Sequence, residues 1–363
     1  MKRVAFLFPG QGAQYPGMGK DFADAFAIAR ETFEEADDLL GEALSKVIFE
    51  GPESELTKTS NAQLAIFVTS VAILRTIQQQ MPDLCPVVCA GLSLGEYTAL
   101  FASGRLSFRE ALLLVRERAR LMNEACEQVP GTMAAVLGMN GAEIDAALQG
   151  IYREGLKNRN MARSRPEFEP GFAGGEAAQL EQVERCSRVS NSAAGDDART
   201  DFPITSGIKG VWVANYNCPG QIVISGTKEG IAAASMKLKE AGAKRIIPLQ
   251  VHGAFHSGLM QGAQDALAPL IAAAPLVDSQ IDLVMNVPGK VVSDLVAIRK
   301  NLTLQVTHSI RWEQGIRSMG SIDLYLEIGC GKVLTGFNRK IGVTARCVSI
   351  EKITDLEGIL CNS

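Results

Sequence analysis

A Gly-x-Ser-x-Gly pattern is the feature that most constrains what this 363-residue chain can fold into. Gly91, Ser93 and Gly95 follow the short apolar run 86–90, which has the length of a strand, and precede the stretch 94–103, which has helical composition. A serine on such a strand-to-helix turn projects clear of the backbone, and the N–H of Leu94 points to where an oxyanion would form. The pattern favours a nucleophilic serine, although an ordinary glycine-rich bend gives the same letters.

The composition is that of a globular protein with a well-buried core: 47% of the residues are hydrophobic, 21% are charged, and the net charge is -4. This charge gives no indication of a nucleic-acid partner. Charged residues interrupt the apolar stretches before the roughly 18 residues of a membrane span, and MKRVAFLFPG reaches Pro-Gly too early for a signal peptide. We therefore expect a cytoplasmic enzyme without membrane contact.

Strands alternate with helices over most of the chain, which favours an α/β fold with a mostly parallel sheet covered on both faces. Residues 1–128 are predicted to form the first part of a large subdomain, and residues 251–363 the second part. Its predicted strands are 2–8, 281–286, 323–327 and 346–350, and its predicted helices are 21–40, 61–79, 108–127, 259–274, 311–319 and 332–341.

A different order of elements occupies residues 129–250. Strands at 132–137, 211–216, 221–225 and 244–248, with helices at 141–148 and 228–241, give the order βαββαβ. We therefore predict a ferredoxin-like small subdomain inserted into the large one. Residues 152–209 are poor in large aliphatic side chains and are predicted to be a flexible insertion within it, with one short helix around 176–186.

A nucleophilic serine requires a base, and the chain has only three histidines. His252 and His256 lie in QVHGAFHSGLM, a loop between a predicted strand and a predicted helix, and His308 lies farther along the chain. Position alone does not choose between His252 and His256. The eight cysteines form no CxxC pair and have no spacing with histidine that is typical of zinc, so we expect no metal.

Six ordered stretches resemble the malonyl-CoA:acyl carrier protein transacylases. They are FPGQGAQYPGMG (8–19), GLSLGEYTAL (91–100), RERARLM (116–122), NYNCPGQIVISG (215–226), AFHSGLM (254–260) and EIGCGKVLTGFNRKI (327–341). The resemblance covers nearly the whole chain except about 152–209. It implies a hydrolase-like large subdomain with the ferredoxin-like small subdomain inserted in it.

The resemblance implies a role for each matching residue. Ser93 corresponds to the nucleophile and His256 to its base. Gln11 and Leu94 correspond to the residues whose backbone N–H groups form the oxyanion hole. One departure is Leu92, where most members have a histidine that is not the base.

Two further residues correspond to functional positions of the family. Arg118 matches the arginine that binds the malonyl carboxylate, and neither Leu114 nor Met122 offers it a carboxylate at helical spacing. A guanidinium binds a carboxylate bidentately, so acetyl-CoA is expected to be a poor substrate. Gln305 matches a residue whose carbonyl oxygen orients the catalytic histidine.

The implied activity is transfer of a malonyl group from malonyl-CoA to the phosphopantetheine thiol of acyl carrier protein, through a malonyl-serine ester, for fatty-acid synthesis. No cofactor is implied, because the phosphopantetheine arm belongs to the carrier protein. We expect a monomer. Because carrier proteins are acidic, a basic patch is expected, for which Lys332, Arg339 and Lys340 are candidates.

Three other interpretations remain. A serine hydrolase or thioesterase of the α/β-hydrolase type shares the Gly-x-Ser-x-Gly pattern, but it has no use for Arg118 in the pocket. An acyltransferase domain of a polyketide synthase also fits, although the chain begins at the first strand and ends soon after the last, which favours a free-standing enzyme. A binding module with an inactive site is the non-enzymatic alternative.

Overall fold

The computed structural model describes residues 2–148, 210–251 and 253–360. The chain forms two compact units, of which the larger comprises Met1–Asn123, Asp265–Gln305 and Ile310–Ser363, and the smaller comprises Glu124–Gln264 and Val306–Ser309. The sequence-based boundaries are 128/129 and 250/251, whereas the nearest boundaries between the compact units are 123/124 and 264/265. Each of these two lies inside a helix, Phe108–Gln128 or Gln261–Ala273, so no loop separates the units there. As a consequence, His256 belongs to the smaller unit.

The described residues form eleven strands and fourteen α-helices. The strands are β1 (Val4–Phe8), β2 (Val88–Gly91), β3 (Thr132–Leu137), β4 (Val211–Cys218), β5 (Gln221–Gly226), β6 (Arg245–Pro248), β7 (Asp282–Met285), β8 (Lys290–Val291), β9 (Ile310–Arg311), β10 (Leu324–Ile328) and β11 (Arg346–Ile350). The helices of the first half are α1 (Lys20–Ala25), α2 (Ala27–Leu40), α3 (Leu44–Glu50), α4 (Glu53–Leu56), α5 (Thr59–Gln80), α6 (Gly95–Ala102), α7 (Phe108–Gln128) and α8 (141–148). Those of the second half are α9 (Lys228–Glu240), α10 (Gln261–Ala273), α11 (Leu295–Gln305), α12 (Trp312–Ser318), α13 (Val333–Ile341) and α14 (Ile353–Leu360).

The larger unit contains a six-stranded sheet in the order β11-β10-β1-β2-β7-β8. Its first five strands run parallel, and only β8 runs antiparallel to its neighbour. The central strands β1 and β2 are buried along their whole length, as expected of a parallel sheet that is covered on both faces. The predicted α/β class is confirmed. Because the strands are parallel, the loops after β1, β2 and β7 all leave the same edge of the sheet.

In the smaller unit, β3, β4, β5 and β6 pair antiparallel in the spatial order β6-β3-β5-β4. One face of this sheet is apolar. The side chains of α8 and α9 pack on it in a single cluster that includes Val136, Ile144, Ile224 and Leu238. Within the described residues of this unit, strands and helices follow one another in the predicted order.

Several elements differ from the sequence-based expectation. The predicted helix 21–40 is two helices, because Phe26 is extended, with φ -123° and ψ 122°, and separates α1 from α2. Neither glycine nor proline marks this break. The short helices α3 and α4, and the helices α11 and α14, were not predicted, since each is short or has weak apolar periodicity. Residues 152–209 and His252 lie outside the described residues.

Helix α5 is long and apolar enough to cross a membrane by its length and composition alone, although a charged residue interrupts it, as the sequence analysis expects. Its uncharged run extends from residue 59 to residue 74, where Arg75 ends it. The helix packs against α2 and α6, and most of its side chains are buried in the larger unit. This environment explains its composition as that of a core helix.

The Glu327 carboxylate links three elements of the larger unit. It accepts hydrogen bonds from the backbone N–H groups of Leu334 (2.9 Å) and Thr335 (2.8 Å) at the start of α13, and from the Ser349 hydroxyl on β11 (3.0 Å). Burial raises the pKa of Glu327, and these hydrogen bonds oppose that shift. The carboxylate therefore satisfies helix N–H groups that would otherwise be buried without an acceptor.

We predict that Glu327→Gln lowers the free energy of unfolding by about 2 kcal/mol, because the amide NH₂ would face a backbone N–H and leave both donors unpaired. Urea denaturation measures the change. The control is Glu42→Gln at an exposed position, which should change stability by less than about 0.5 kcal/mol. Equal unfolding midpoints for Glu327→Gln and the control would contradict the assigned role of the carboxylate.

Candidate active site

Three loops at one edge of the parallel sheet bring candidate residues together. Gln11 follows β1, Ser93 follows β2 and Asn286 follows β7, and these three strands are neighbours in the sheet. Phe8 pairs with Gly91, and Ala90 pairs with Val284, so the strands end at similar heights. This carboxyl edge of a parallel sheet is the usual location of α/β binding sites.

The turn between β2 and α6 is sterically tight. Ser93 has a φ of 52°, which is uncommon for a residue with a side chain. A Cβ atom on Gly91 would lie 1.9 Å from the backbone of Gly95, and one on Gly95 would lie 2.2 Å from the Phe8 carbonyl oxygen. Both glycines are therefore required for helix α6 to begin so close to β1 and β2.

Asn286 bridges the two sides of this turn. Its Oδ1 accepts a hydrogen bond from the Ser93 N–H at 2.7 Å, and its Nδ2 donates to the Gly91 carbonyl oxygen at 2.7 Å. The side chain is 3% exposed, so water does not compete for these bonds. Asn286 thus stabilises the backbone conformation of the turn that contains Ser93.

Glu96 is a buried acid in the first turn of α6, 1% exposed. Its Oε1 accepts from the Asn286 N–H at 2.6 Å, and its Oε2 accepts from Gln305 Nε2 at 2.6 Å. Burial raises its pKa, while the Asn286 N–H, the charge of Arg118 and the Gln305 amide oppose this rise. Since each carboxyl oxygen faces an N–H donor, these hydrogen bonds are those of the ionised form.

Arg118 on α7 lies fully inside the larger unit, 1% exposed. Its Nη2 donates to Ser93 Oγ at 3.0 Å and to Gln305 Oε1 at 3.0 Å, and its Nη1 donates to Gln63 Oε1 on α5. The Tyr97 ring centre lies 5.5 Å from the guanidinium carbon. Burial lowers the pKa of Arg118, and the nearby Tyr97 and Glu96 oppose that shift.

In the described part of the chain, no carboxylate is hydrogen-bonded to the Arg118 guanidinium. The Arg118 Nε–H and the Tyr97 hydroxyl are both buried, and neither has a hydrogen bond of acceptable geometry with a residue in the described ranges. The oxygen atoms that Arg118 does contact belong to a serine and two glutamines, all neutral. The site therefore holds a desolvated cation whose hydrogen-bonded oxygen partners are all neutral.

Gln305 connects the cation to the serine turn through its side chain. Its Nε2 donates to the Ser93 carbonyl oxygen at 2.9 Å and to Glu96, while its Oε1 accepts from Arg118. The resemblance points to the carbonyl oxygen of Gln305 as the group that orients the histidine. The contacts described within the larger unit are those of its side-chain amide.

Gln11 and Leu94 supply the backbone N–H groups expected at an oxyanion hole. Neither N–H donates a hydrogen bond to any residue of the described part of the chain. Leu94 is buried at the start of α6, and the side chain of Gln11 lies 3.4 Å from the Thr59 hydroxyl. Both donors follow adjacent strands, at the same edge of the sheet as Ser93.

His256 lies in the smaller unit, between β6 and the short 3-10 helix Gly258–Met260. It is 4% exposed and has a φ of 56°. Among the described residues, Ser93 and His256 are the only two non-glycine residues with a positive φ. The next residue, Ser257, donates from its hydroxyl to the Ala254 carbonyl oxygen at 2.5 Å and fixes the loop. The third histidine, His308, has its Nδ1 2.8 Å from the Thr307 hydroxyl.

Sequence reasoning missed three polar residues of this site: Gln63, Glu96 and Asn286. Each carried a signal. Gln63 directly precedes the apolar run 64–68 of α5, Glu96 is the one charged residue of α6, and Asn286 directly follows a buried parallel strand. A buried polar side chain in such a position requires a hydrogen-bonding partner, which here is another residue of the site.

The fold and the composition of this site are those of an acyl transferase. The acyl transferase domain family matches residues 5–153 of the chain, which include the Ser93 turn and Arg118. Full-length relatives define the family further. The malonyl CoA-acyl carrier protein transacylase of Bacillus subtilis is 35% identical over 359 residues, covering 98% of this chain and 96% of that protein.

Solved structures agree with these relatives. The malonyl-transacylase in a holo complex with a type II PKS acyl-carrier protein is 33% identical, with a TM-score of 0.79 over 99% of this chain and 100% of that one. The transacylase structure from Streptococcus pneumoniae is 35% identical, with a TM-score of 0.77 over 99% and 100% of the two chains. The chain therefore belongs to the malonyl CoA-acyl carrier protein transacylase family and is an acyltransferase.

We predict that Gly95→Ala destabilises the protein by about 3 kcal/mol, because the new Cβ overlaps the Phe8 carbonyl oxygen and displaces the start of α6. Thermal and urea unfolding measure the effect. Gly336→Ala is the matched control. Position 336 lies on helix α13 with no atom within 4 Å of the added Cβ, so alanine should stabilise by about 0.5 kcal/mol. Similar stabilities of the two variants would show that the turn tolerates a side chain.

Proposed function

We propose that this chain transfers a malonyl group from malonyl-CoA to the phosphopantetheine thiol of acyl carrier protein, supplying fatty-acid synthesis. The observation that carries the proposal is the 3.0 Å hydrogen bond between Arg118 Nη2 and Ser93 Oγ. It joins a hydroxyl able to accept an acyl group to a buried cation able to bind the carboxylate at the far end of that group. A hydrolase that acts on neutral esters has no need for such a cation.

In the first half-reaction, Ser93 Oγ attacks the thioester carbonyl of malonyl-CoA while His256 accepts the hydroxyl proton. The negative charge that develops on the carbonyl oxygen is stabilised by the N–H groups of Leu94 and Gln11. The C–S bond then breaks, CoA leaves as a thiol with the proton from His256, and malonyl-Ser93 remains. The positive φ values of Ser93 and His256 support these roles, since backbone strain of this kind clusters at functional sites.

In the second half-reaction, the carrier-protein thiol attacks the ester carbonyl of malonyl-Ser93 while His256 accepts the thiol proton. The C–O bond breaks, and His256 returns the proton to Ser93 Oγ. The product is malonyl on the phosphopantetheine arm, and the enzyme is restored. This chemistry uses side chains and backbone N–H groups throughout, so we propose that no metal or cofactor takes part.

Arg118 selects the malonyl group in this mechanism. Its cation is desolvated, and its hydrogen-bonded oxygen partners are all neutral. A malonyl carboxylate would provide the missing negative charge with charge-assisted hydrogen bonds, whereas an acetyl group provides none. We also propose that the carbonyl oxygen of Gln305 orients His256, as the resemblance implies.

We also propose a fold type for each of the two units. We infer a hydrolase-like larger unit with a nucleophile elbow at Ser93, supported by the strand-turn-helix around a serine with positive φ. We infer a ferredoxin-like smaller unit, supported by the order βαββαβ and the spatial order β6-β3-β5-β4.

Acyl carrier protein is the proposed partner, because a structural relative is a complex of a malonyl-transacylase with such a protein. Lys332, Arg339 and Lys340 are exposed and remain candidates for contacts with this acidic partner. We propose a cytoplasmic monomer without nucleic-acid or membrane contacts, on the basis of composition alone.

We predict that incubation with malonyl-CoA adds one malonyl group to the wild-type protein and none to Ser93→Ala, as measured by intact-mass spectrometry. The serine hydroxyl is the only group in the mechanism that carries the acyl chain. Ser103→Ala, which alters a buried serine hydrogen-bonded within its own turn, is the control and should acylate like the wild type. An adduct that persists on Ser93→Ala would place the chemistry elsewhere.

The fate of the malonyl group on this acylated enzyme distinguishes a transferase from a hydrolase. On addition of holo acyl carrier protein, the malonyl group should appear on the carrier far faster than malonate appears in water. Dominant hydrolysis would support the α/β-hydrolase alternative, and no acylation at all would support an inactive binding module.

We predict that Arg118→Ala lowers kcat/KM for malonyl-CoA by about a thousandfold, while kcat/KM for acetyl-CoA stays within about tenfold, because only the malonyl group loses a charged partner. Arg118→Lys should lose about tenfold to a hundredfold, since lysine keeps the charge but not the bidentate geometry. Steady-state transfer with both thioesters measures the two values. An equal loss for both would show that Arg118 acts on the serine rather than on the carboxylate.

A further inference from the structure

Glu96 is a buried carboxylate that the transfer mechanism does not use. No substrate atom has to touch it, yet it lies at the centre of the hydrogen bonds between Asn286 and Gln305. Burial of a carboxylate is unfavourable unless its oxygens are paired, and both oxygens of Glu96 are paired with N–H donors. The position of the group therefore calls for an explanation beyond packing.

The chemistry of Glu96 determines which way the Gln305 amide points. An ionised carboxylate accepts hydrogen bonds and donates none, so it must face the NH₂ end of that amide. The Ser93 carbonyl oxygen, also only an acceptor, faces the same end at 2.9 Å. The oxygen end is thereby directed to Arg118, whose guanidinium only donates.

We propose that Glu96 is a positioning residue for malonyl selection: by fixing the orientation of the Gln305 amide, it holds the Arg118 guanidinium where the malonyl carboxylate binds. This inference rests on the proposed malonyl transfer. Glu96 acts through Gln305 and not by touching the substrate. Its second oxygen, through the Asn286 N–H, anchors the residue that bridges the Ser93 turn.

Glu96→Gln tests this directly, because it changes one oxygen to NH₂ with almost no change in shape. The amide oxygen of the new glutamine can still accept from the Asn286 N–H. Its NH₂ group then faces the NH₂ group of Gln305. Relief of this donor-donor contact displaces the Gln305 amide, or turns it over with loss of its bond to the Ser93 carbonyl oxygen. In either case Gln305 Oε1 no longer accepts from the Arg118 guanidinium, which is displaced.

The measurement is the ratio of kcat/KM for malonyl-CoA to kcat/KM for acetyl-CoA. We expect Glu96→Gln to lower this ratio about tenfold to a hundredfold, because only malonyl depends on the placement of Arg118. Glu31→Gln, at an exposed position on α2, is the matched control and should leave the ratio unchanged. A purely structural role of Glu96 would reduce the rates for both thioesters alike, and that result would overturn the proposal.

A double-mutant cycle tests whether Glu96 acts on Arg118 through Gln305. Gln305→Met keeps the length of the side chain and removes the amide, so it should lower the ratio by a similar factor. In the Glu96→Gln background it should lower the ratio little further, because the two changes interrupt the same connection. Fully additive effects would overturn the route through Gln305.

Two outcomes keep the inference separate from the proposed function. A wild-type protein that forms no malonyl-Ser93 overturns both, whereas normal wild-type acylation with an unchanged ratio in Glu96→Gln overturns only the inference. If Glu96→Gln does not fold, as judged by thermal unfolding, Gln305→Met alone decides: a reduced ratio supports the inference and a wild-type ratio overturns it.

Discussion

The rest of the site depends on a buried guanidinium. Taking the charge of Arg118 out of water is unfavourable, and the surrounding residues compensate with oxygen acceptors from Gln63, Ser93 and Gln305. None of these acceptors carries a charge. The nearby carboxylate, Glu96, bonds to Gln305 and Asn286 rather than to the guanidinium. The cation is therefore held in place without a direct ion pair, and this condition leaves it able to attract an anionic substrate.

Backbone strain and side-chain bonding reinforce one another at the serine. A residue with a side chain at φ 52° carries a cost of roughly 1–3 kcal/mol, which the surroundings must offset. Gly91 and Gly95 remove the steric conflict on either side, and Asn286 ties the two ends of the turn together. The same backbone geometry leaves the Leu94 N–H without an acceptor among the residues that the structure describes. The backbone conformation that strains the turn is thus also the one that leaves the Leu94 N–H able to donate to an oxyanion.

The elements with strong local patterns could be predicted from the sequence, and the polar network between elements could not. Strands β1 and β2, helix α7 and the Ser93 turn follow from apolar runs and glycine spacing. Arg118 was identified through resemblance, since its helix reveals only that no carboxylate is near in sequence. Glu96 and Asn286 are 190 residues apart in the chain and meet only because β2 and β7 are neighbours in the sheet. Periodicity carries no information about such pairs, because it describes the exposure of a side chain and not its partner.

The hydrogen bond between Arg118 and Ser93 has a further consequence for selectivity. A malonyl carboxylate that binds Arg118 would replace a neutral hydroxyl oxygen with a charged acceptor, and charge-assisted bonds of this type are about twice as strong as neutral ones. The exchange is therefore favourable, and it releases Ser93 Oγ for attack on the carbonyl. An acetyl group offers nothing in exchange, so the serine oxygen keeps its bond to the guanidinium, which withdraws electron density from the attacking lone pair. Under the proposed mechanism, one contact thus favours the malonyl thioester twice: once in binding, and again in freeing the nucleophile.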